Sequence, residues 1–139
     1  MVACDLDGDA DCDIADIDAL TNQAGVTRAE IEAWLSDAGA ANGFAGPLLM
    51  GDANLDGTID AIDLNAVGQN WQADGTMWST GDFNGDNISD AIDLNVLGQN
   101  WQASVPVPAQ PASVPEPASA TLTLFSLFGL MMLRRREQV

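Results

Sequence analysis

The segment GDANLDGTIDAIDLNAVGQNWQA at residues 51–73 returns as GDFNGDNISDAIDLNVLGQNWQA at residues 81–103, and nothing else in this 139-residue chain constrains its fold as much. The copies lie 30 residues apart. A repeat of that length is one supersecondary unit that cannot bury its own apolar face, so two neighbours must pack on each other. Leu64, Val67 and Trp71 recur at helical spacing in the first copy, as do Leu94, Leu97 and Trp101 in the second. This predicts two amphipathic helices with those residues turned to the core; aromatic stripes at such spacing serve packing more often than sugar stacking. Gly68 and Gly98 interrupt both helices at a cost of about 1 kcal/mol each. They permit a close helix crossing or end the helix early, and the sequence leaves both open.

Each copy begins with oxygen-bearing side chains at fixed places. Counting from Asp52, the first, third, fifth, ninth and twelfth places are Asp52, Asn54, Asp56, Asp60 and Asp63; from Asp82 they are Asp82, Asn84, Asp86, Asp90 and Asp93. A twelve-residue calcium loop uses this spacing, with a backbone carbonyl from the seventh place, here Thr58 and Ile88, and a carboxylate from the twelfth that opens the following helix. Gly57 fills the sixth place, where the chain must turn sharply, and Asn87 takes it in the second copy, as the residue that best tolerates a left-handed backbone after glycine. Ile59 fills the eighth place of the first loop, whereas the second has Ser89 there and Ile88 one residue earlier, which predicts a distorted pairing strand. A degenerate third copy, DLDGDADCDIAD, supplies Asp5, Asp7, Asp9, Asp13 and Asp16, with the carbonyl of Asp11 and with Ala10 at the turn. Starting at Asp7 instead would put Ile14 in the eighth place; the start at Asp5 is preferred because DIDAL then aligns with DLNAV and DLNVL. Magnesium fits these flexible oxygen-rich loops less well than calcium, because it dehydrates reluctantly and demands a tight octahedron.

The chain carries 21 acids against 4 arginines and no histidine, lysine or tyrosine. Of the arginines only Arg28 precedes Arg134, Arg135 and Arg136, so residues 1–117 are almost purely anionic. Such a surface excludes nucleic acid as a partner, since a phosphate backbone needs cations to displace its counterions. Acidity of this kind accompanies disorder in chains that lack an apolar pattern; bound cations that cancel the repulsion are the alternative a repeated, patterned chain favours. With nearly every Asp placed in a loop and no base or nucleophile of the usual kinds, catalysis within these residues is not expected. Cys4 and Cys12 flank the first acidic loop and fit no zinc site; they are either a small disulfide, if the compartment is oxidising, or two buried apolar side chains. Thr27 stands three residues before Glu30 as a capping box, and Ile31, Trp34 and Leu35 then share a face, predicting an amphipathic helix over residues 27–38.

The segments GDANLDGTIDAIDLN and GDFNGDNISDAIDLN resemble the type I dockerin, a pair of loop-helix calcium motifs that lack the entering helix of an EF-hand. The resemblance covers residues 51–103 well and residues 4–24 loosely. It implies a mainly α fold of tandem EF-hand-like units, two antiparallel helices related by an approximate twofold axis, two calcium ions, and a third if the N-terminal loop also binds. In that family the tenth and eleventh loop places recognise a cohesin partner; here they are Ala61 and Ile62, then Ala91 and Ile92. Each isoleucine is thus an exposed contact or part of the helix pairing. Gly68, Gln69, Gly98 and Gln99 stand where dockerins commonly carry basic residues, which leaves open a surface-protein partner other than a standard cohesin.

The tail, VPEPASATLTLFSLFGLMMLRRR, resembles a PEP-CTERM sorting signal, which is handled by an exosortase. This implies processing near Pro115, Glu116 and Pro117, an apolar helix over residues 120–133 held at the membrane by the three arginines, and an exported protein of the cell envelope or exterior. The apolar run is short of the roughly 20 residues that span a bilayer comfortably. Because the opening MVACDLDG carries no apolar export signal, further sequence upstream is expected. The organisation read from the chain is therefore a loop-helix unit with an amphipathic helix at 4–40, a dockerin-like pair at 51–103, a Pro/Ala/Ser linker at 104–117 and the sorting signal at 114–139. The function implied is a non-catalytic, calcium-binding docking and sorting region, with extracellular polysaccharide breakdown as its context. The alternative is an adhesin-like spacer stiffened by calcium, in the manner of thrombospondin type-3 repeats, which CDLDGDADCD also resembles.

Overall fold

Among the described residues four α-helices form where the sequence supplies both a cap and an apolar face. The computed structural model describes residues 3–109, and helices α1 (Ile14–Thr21), α2 (Arg28–Ala41), α3 (Ala61–Gln69) and α4 (Ala91–Gln99) follow in order, with a 3-10 turn at Trp78–Thr80. Three of them start in the same way. Asp13, Asp60 and Asp90 are the N-caps of α1, α3 and α4, and the acid three residues on, Asp16, Asp63 or Asp93, accepts the cap's own backbone N–H. The ninth and twelfth places of the loop pattern are thus also a capping box, satisfying donors that a helix start otherwise leaves unpaired. Helix α2 opens with the Thr27–Glu30 box read from the sequence, and Ile31, Trp34 and Leu35 are buried as predicted.

The two repeats are fastened crosswise. Thr58 of the first loop bridges Ser104, beyond α4, while Ile88 of the second loop bridges Asp74, beyond α3. Around these bridges the Ile59 N–H donates to the Ala103 carbonyl at 3.0 Å, the Gln102 N–H to the Ile59 carbonyl at 3.0 Å, and the Gln72 N–H to the Ser89 carbonyl at 2.8 Å. The end of each helix therefore lies against the start of the other, an antiparallel pair with an approximate twofold relation. The Ile59–Ala103 bond has no counterpart at Ser89 among the described residues; instead the Ser89 hydroxyl donates to the Gly81 carbonyl at 3.2 Å, which is the distortion expected in that loop.

Within the repeat pair the close approach of backbone to backbone falls at glycines just ahead of the loops, not inside α3 and α4. A Cβ on Gly81 would sit 2.8 Å from the Val67 Cα of α3, and one on Gly51 would sit 3.0 Å from the Leu97 Cα of α4; both glycines have positive φ, 95° and 101°. Gly68 and Gly98 have no such neighbour within 4 Å, and each helix ends one residue later, so of their two readings the early helix end is the one observed.

The core differs from the predicted stripe. Val67 and Leu97 are buried, but Leu64 and Leu94 are each 39% exposed, Trp71 44% and Trp101 43%. The cause is the twelfth-place acid. Asp63 must face its loop, so Asp63 and Val67, four residues apart, set the inner line of α3, and Leu64 is rotated about 100° away from it. Trp71 and Trp101 lie past the helix ends and follow the chain outward. Their place in the core is filled by Trp34, Trp78 and Phe83, the last two meeting edge to face with centroids 5.1 Å apart.

Residues 3–108 are one compact unit, with α1 packed against both α2 and the 3-10 turn at Trp78, which in turn meets α3. The Asp18 carboxylate accepts both the backbone N–H and the hydroxyl of Ser79, at 2.8 and 2.7 Å, and the Thr21 hydroxyl accepts the Trp78 N–H at 3.2 Å. Residues 104–106, counted with the linker by composition, are bonded into this unit: Val105 donates to Gly57 and Ala45 donates to Pro106. No helix of the described residues is long and apolar enough to cross a membrane. The apolar segment 120–133 and the expected sorting residues Pro115, Glu116, Pro117, Arg134, Arg135 and Arg136 lie outside the described residues.

Candidate metal centres and docking face

The three acidic loops share one hydrogen-bond plan. At the first place, Asp52 accepts the N–H groups of Asp56 and Gly57, Asp82 those of Gly85, Asp86 and Asn87, and Asp5 those of Gly8 and Ala10. At the third, Asn54, Asn84 and Asp7 each accept the N–H of the fifth, and the fifth in turn accepts the N–H of the seventh, Thr58, Ile88 or Asp11. At the twelfth, Asp63, Asp93 and Asp16 reach back to the start of the loop, accepting N–H groups of Ala53, of Phe83 and Asn84, and of Leu6 and Asp7. The backbone turns left-handed at the same two places in each: Leu55 and Gly57, Gly85 and Asn87, Gly8 and Ala10. The N-terminal loop therefore follows the register that starts at Asp5. Its Ala10 has φ 79°, a conformation costing an alanine roughly 1 kcal/mol that glycine would not pay.

Burial separates the loops. Asp52, Asp63, Asp82 and Asp93 are all fully buried, and burial, reinforced by neighbouring carboxylates, pushes each of them above the ordinary carboxylate range, Asp52 to about 7. Asp16 behaves differently. Burial pushes it up as well, but the N–H groups of Asp13, Leu6 and Asp7 outweigh that and hold it below the usual range. The other acids of the N-terminal loop are largely at the surface, and they gather in two groups, Asp5 with Asp7 and Asp9, and Asp11 with Asp13 and Asp16, each within 4.8 Å. That loop is also closed covalently. Cys4 and Cys12 form a disulfide with a Cα–Cα distance of 5.4 Å, and both are buried.

These donor sets fit a hard cation. They offer oxygen alone, from Asp, Asn and backbone carbonyls, and among the described residues no basic side chain approaches them: Arg28 pairs with Glu32 at 2.7 Å on the surface of α2. Buried like charges without a counter-ion are costly, and a calcium ion, which takes six to eight oxygens, would remove that cost if bound. Two indole braces on the loops go beyond the sequence pattern, which places Trp34 on an apolar helix face and does not single out Trp78. The Trp78 indole donates to the Asp52 carbonyl at 2.6 Å, and the Trp34 indole donates to the Cys4 carbonyl at 2.8 Å. Trp78 falls between the repeats, where no pattern marks it.

The other face of the repeat pair is open. Ala61 and Ala91 are exposed, Ile62 is 58% exposed and Ile92 54%, so neither isoleucine is spent on helix pairing. Residues 50–102 match the family model of the dockerin type I domain. The match covers less than half of the 139 residues and leaves out the N-terminal loop, α1 and α2. No curated protein and no solved structure matches the chain. Dockerin domains are non-catalytic modules that bind calcium and dock onto cohesins, and in this segment the loops that would hold the ions and the free face of α3 and α4 lie on one pair of helices.

Proposed function

We propose that residues 51–103 are a calcium-dependent docking module whose two ions sit in the loops at Asp52–Asp63 and Asp82–Asp93, with a third bound by Asp5–Asp16. The ligands are the side chains of Asp52, Asn54, Asp56, Asp60 and Asp63 with the Thr58 carbonyl, and their counterparts Asp82, Asn84, Asp86, Asp90 and Asp93 with the Ile88 carbonyl. In the N-terminal loop they are Asp5, Asp7, Asp9, Asp13 and Asp16 with the Asp11 carbonyl. Calcium neutralises the loops; the protein's own part is to hold the acids through the capping boxes and to present α3 and α4 in fixed relation. The observation that carries this reading is the equal exposure of Ile62 and Ile92 on helices whose starts are the acidic loops. A spacer stiffened by calcium has no use for two aliphatic side chains in water at equivalent positions.

The tail motif supports export and sorting by an exosortase at the cell envelope, and the dockerin resemblance supports extracellular polysaccharide breakdown as the setting, with any catalytic domain elsewhere. Binding of cohesin modules to the calcium-loaded protein tests the docking reading. Saturable binding that is lost in EDTA and in the Ile62→Asp/Ile92→Asp variant is expected. Indifference to that variant would favour the spacer.

A further inference from the structure

The free face of α3 and α4 is uncharged, although the chain around it is strongly acidic. Over residues 61–72 and 91–102 the only ionisable side chains are Asp63 and Asp93, and both are fully buried in their loops. What remains exposed on this face of the first copy is Ile62 with Asn65 and Gln69, and the second presents the same set at Ile92, Asn95 and Gln99; Leu64 and Leu94 lie about 200° around their helices from the isoleucines, and Trp71 and Trp101 lie past the helix ends. Ile62, Asn65 and Gln69 follow at i, i+3 and i+7, one stripe on the helix surface. Beyond these stretches the exposed acid outside the loops of the pair is Asp74.

We infer that this face docks a protein surface whose centre is apolar and uncharged, and that the contact is made by burial of aliphatic area with amide hydrogen bonds, not by ion pairing. The inference rests on the docking reading above and specifies the partner. A second copy of this chain fits poorly, because residues 1–117 hold 20 acids against the single Arg28, more than three divalent ions offset, and like charges brought together oppose association. A neutral polysaccharide is the weaker occupant: the apolar side chains on this stripe are isoleucines, which gain by burial against other apolar groups and offer no ring face to a sugar, while the exposed rings of Trp71 and Trp101 lie past the helix ends. Since screening acts only on charges, affinity through such a face changes little with ionic strength, and a charge placed in it is desolvated without a partner.

The test uses the full calcium-loaded chain and a panel of recombinant cohesin modules that differ in the charge of their contact faces, with titration calorimetry at 50 and 500 mM NaCl. The inference predicts that the least charged modules bind best, that Kd moves by less than about threefold between the two salts, and that Gln69→Lys/Gln99→Lys weakens binding about tenfold or more. Both substitutions are at exposed positions near helix C-termini, where a cation is tolerated, and circular dichroism checks that the variant folds. A larger salt effect, or tighter binding by the lysine variant, would overturn the inference while leaving docking intact. Binding of no cohesin at all would remove the docking reading and this inference together. Retention on insoluble cellulose that is lost in Ile62→Asp/Ile92→Asp would assign the face to a neutral glucan instead.

Discussion

Cys4 and Cys12 close the N-terminal acidic loop by joining the residue before its first place to the residue at its eighth. In the repeats the same two places are Gly51 with Ile59 and Gly81 with Ser89, and there the closure is borrowed from the other repeat. Gly51 lies against α4 and Gly81 against α3, and the eighth-place residues are tied to the segments beyond the opposite helices. The N-terminal loop is thus self-sufficient and largely exposed, while each repeat loop buries its key carboxylates and depends on its twin. Shared backbone geometry does not mean shared energetics: one loop is held by a covalent bond, the others by mutual packing and the ion that makes that packing tolerable.

The sharpest way to break this contrast is at the glycines. Gly81→Ala should destabilise the calcium-loaded protein by about 2–4 kcal/mol, since the new methyl meets the α3 backbone at a left-handed position where no rotamer escapes; urea unfolding monitored by tryptophan fluorescence measures it. A midpoint equal to the parent's would show that the helices are not locked as described. Next in size is the disulfide. Cys4→Ala/Cys12→Ala should cost about 2.5 kcal/mol by chain entropy for so short a loop, and hydrogen exchange should quicken at residues 5–16 while the amides of α3 and α4 keep their protection. Equal loss of protection in both regions would mean the two are not independently closed.

Much of this was legible in the residues. The loop spacing fixed the capping boxes and therefore the starts of α1, α3 and α4, because the ninth- and twelfth-place acids serve loop and helix at once. The inner line of each helix was misread, since Leu64 and Trp71 match an apolar period while Asp63, a charged residue, occupies the buried line that the loop imposes. Trp78 was invisible for another reason: its role depends on the Thr21 hydroxyl and the Asp52 carbonyl, contacts with no periodic trace. The register of the N-terminal loop became clear only from Gly8 and Ala10 turning left-handed at the places where Leu55 and Gly57 do.

A smaller effect sharpens the comparison through protons. Burial holds Asp52 at about 7 in the metal-free loop, far above the 3.8 of an exposed carboxyl, whereas Asp16 is held low. A group that binds its proton more tightly when folded loses stabilising effect as pH rises from its unfolded value through its folded one. The calcium-free repeats should accordingly weaken between about pH 4 and 7, and calcium uptake in that window should release protons, with affinity climbing toward pH 7. Calorimetry in buffers of different ionisation enthalpy reads the release directly. Proton release confined to the N-terminal loop, in a comparison with Asp52→Asn/Asp82→Asn, would reverse the assignment.

The central claim is that a divalent ion makes a compact helix pair out of a self-repelling acidic chain, and far-ultraviolet circular dichroism of the oxidised protein in calcium and then in excess EDTA tests it most directly. Loss of most of the helical signal of α3 and α4 on chelation, restored by added calcium, is the predicted result. A spectrum that stays the same in both conditions would contradict it.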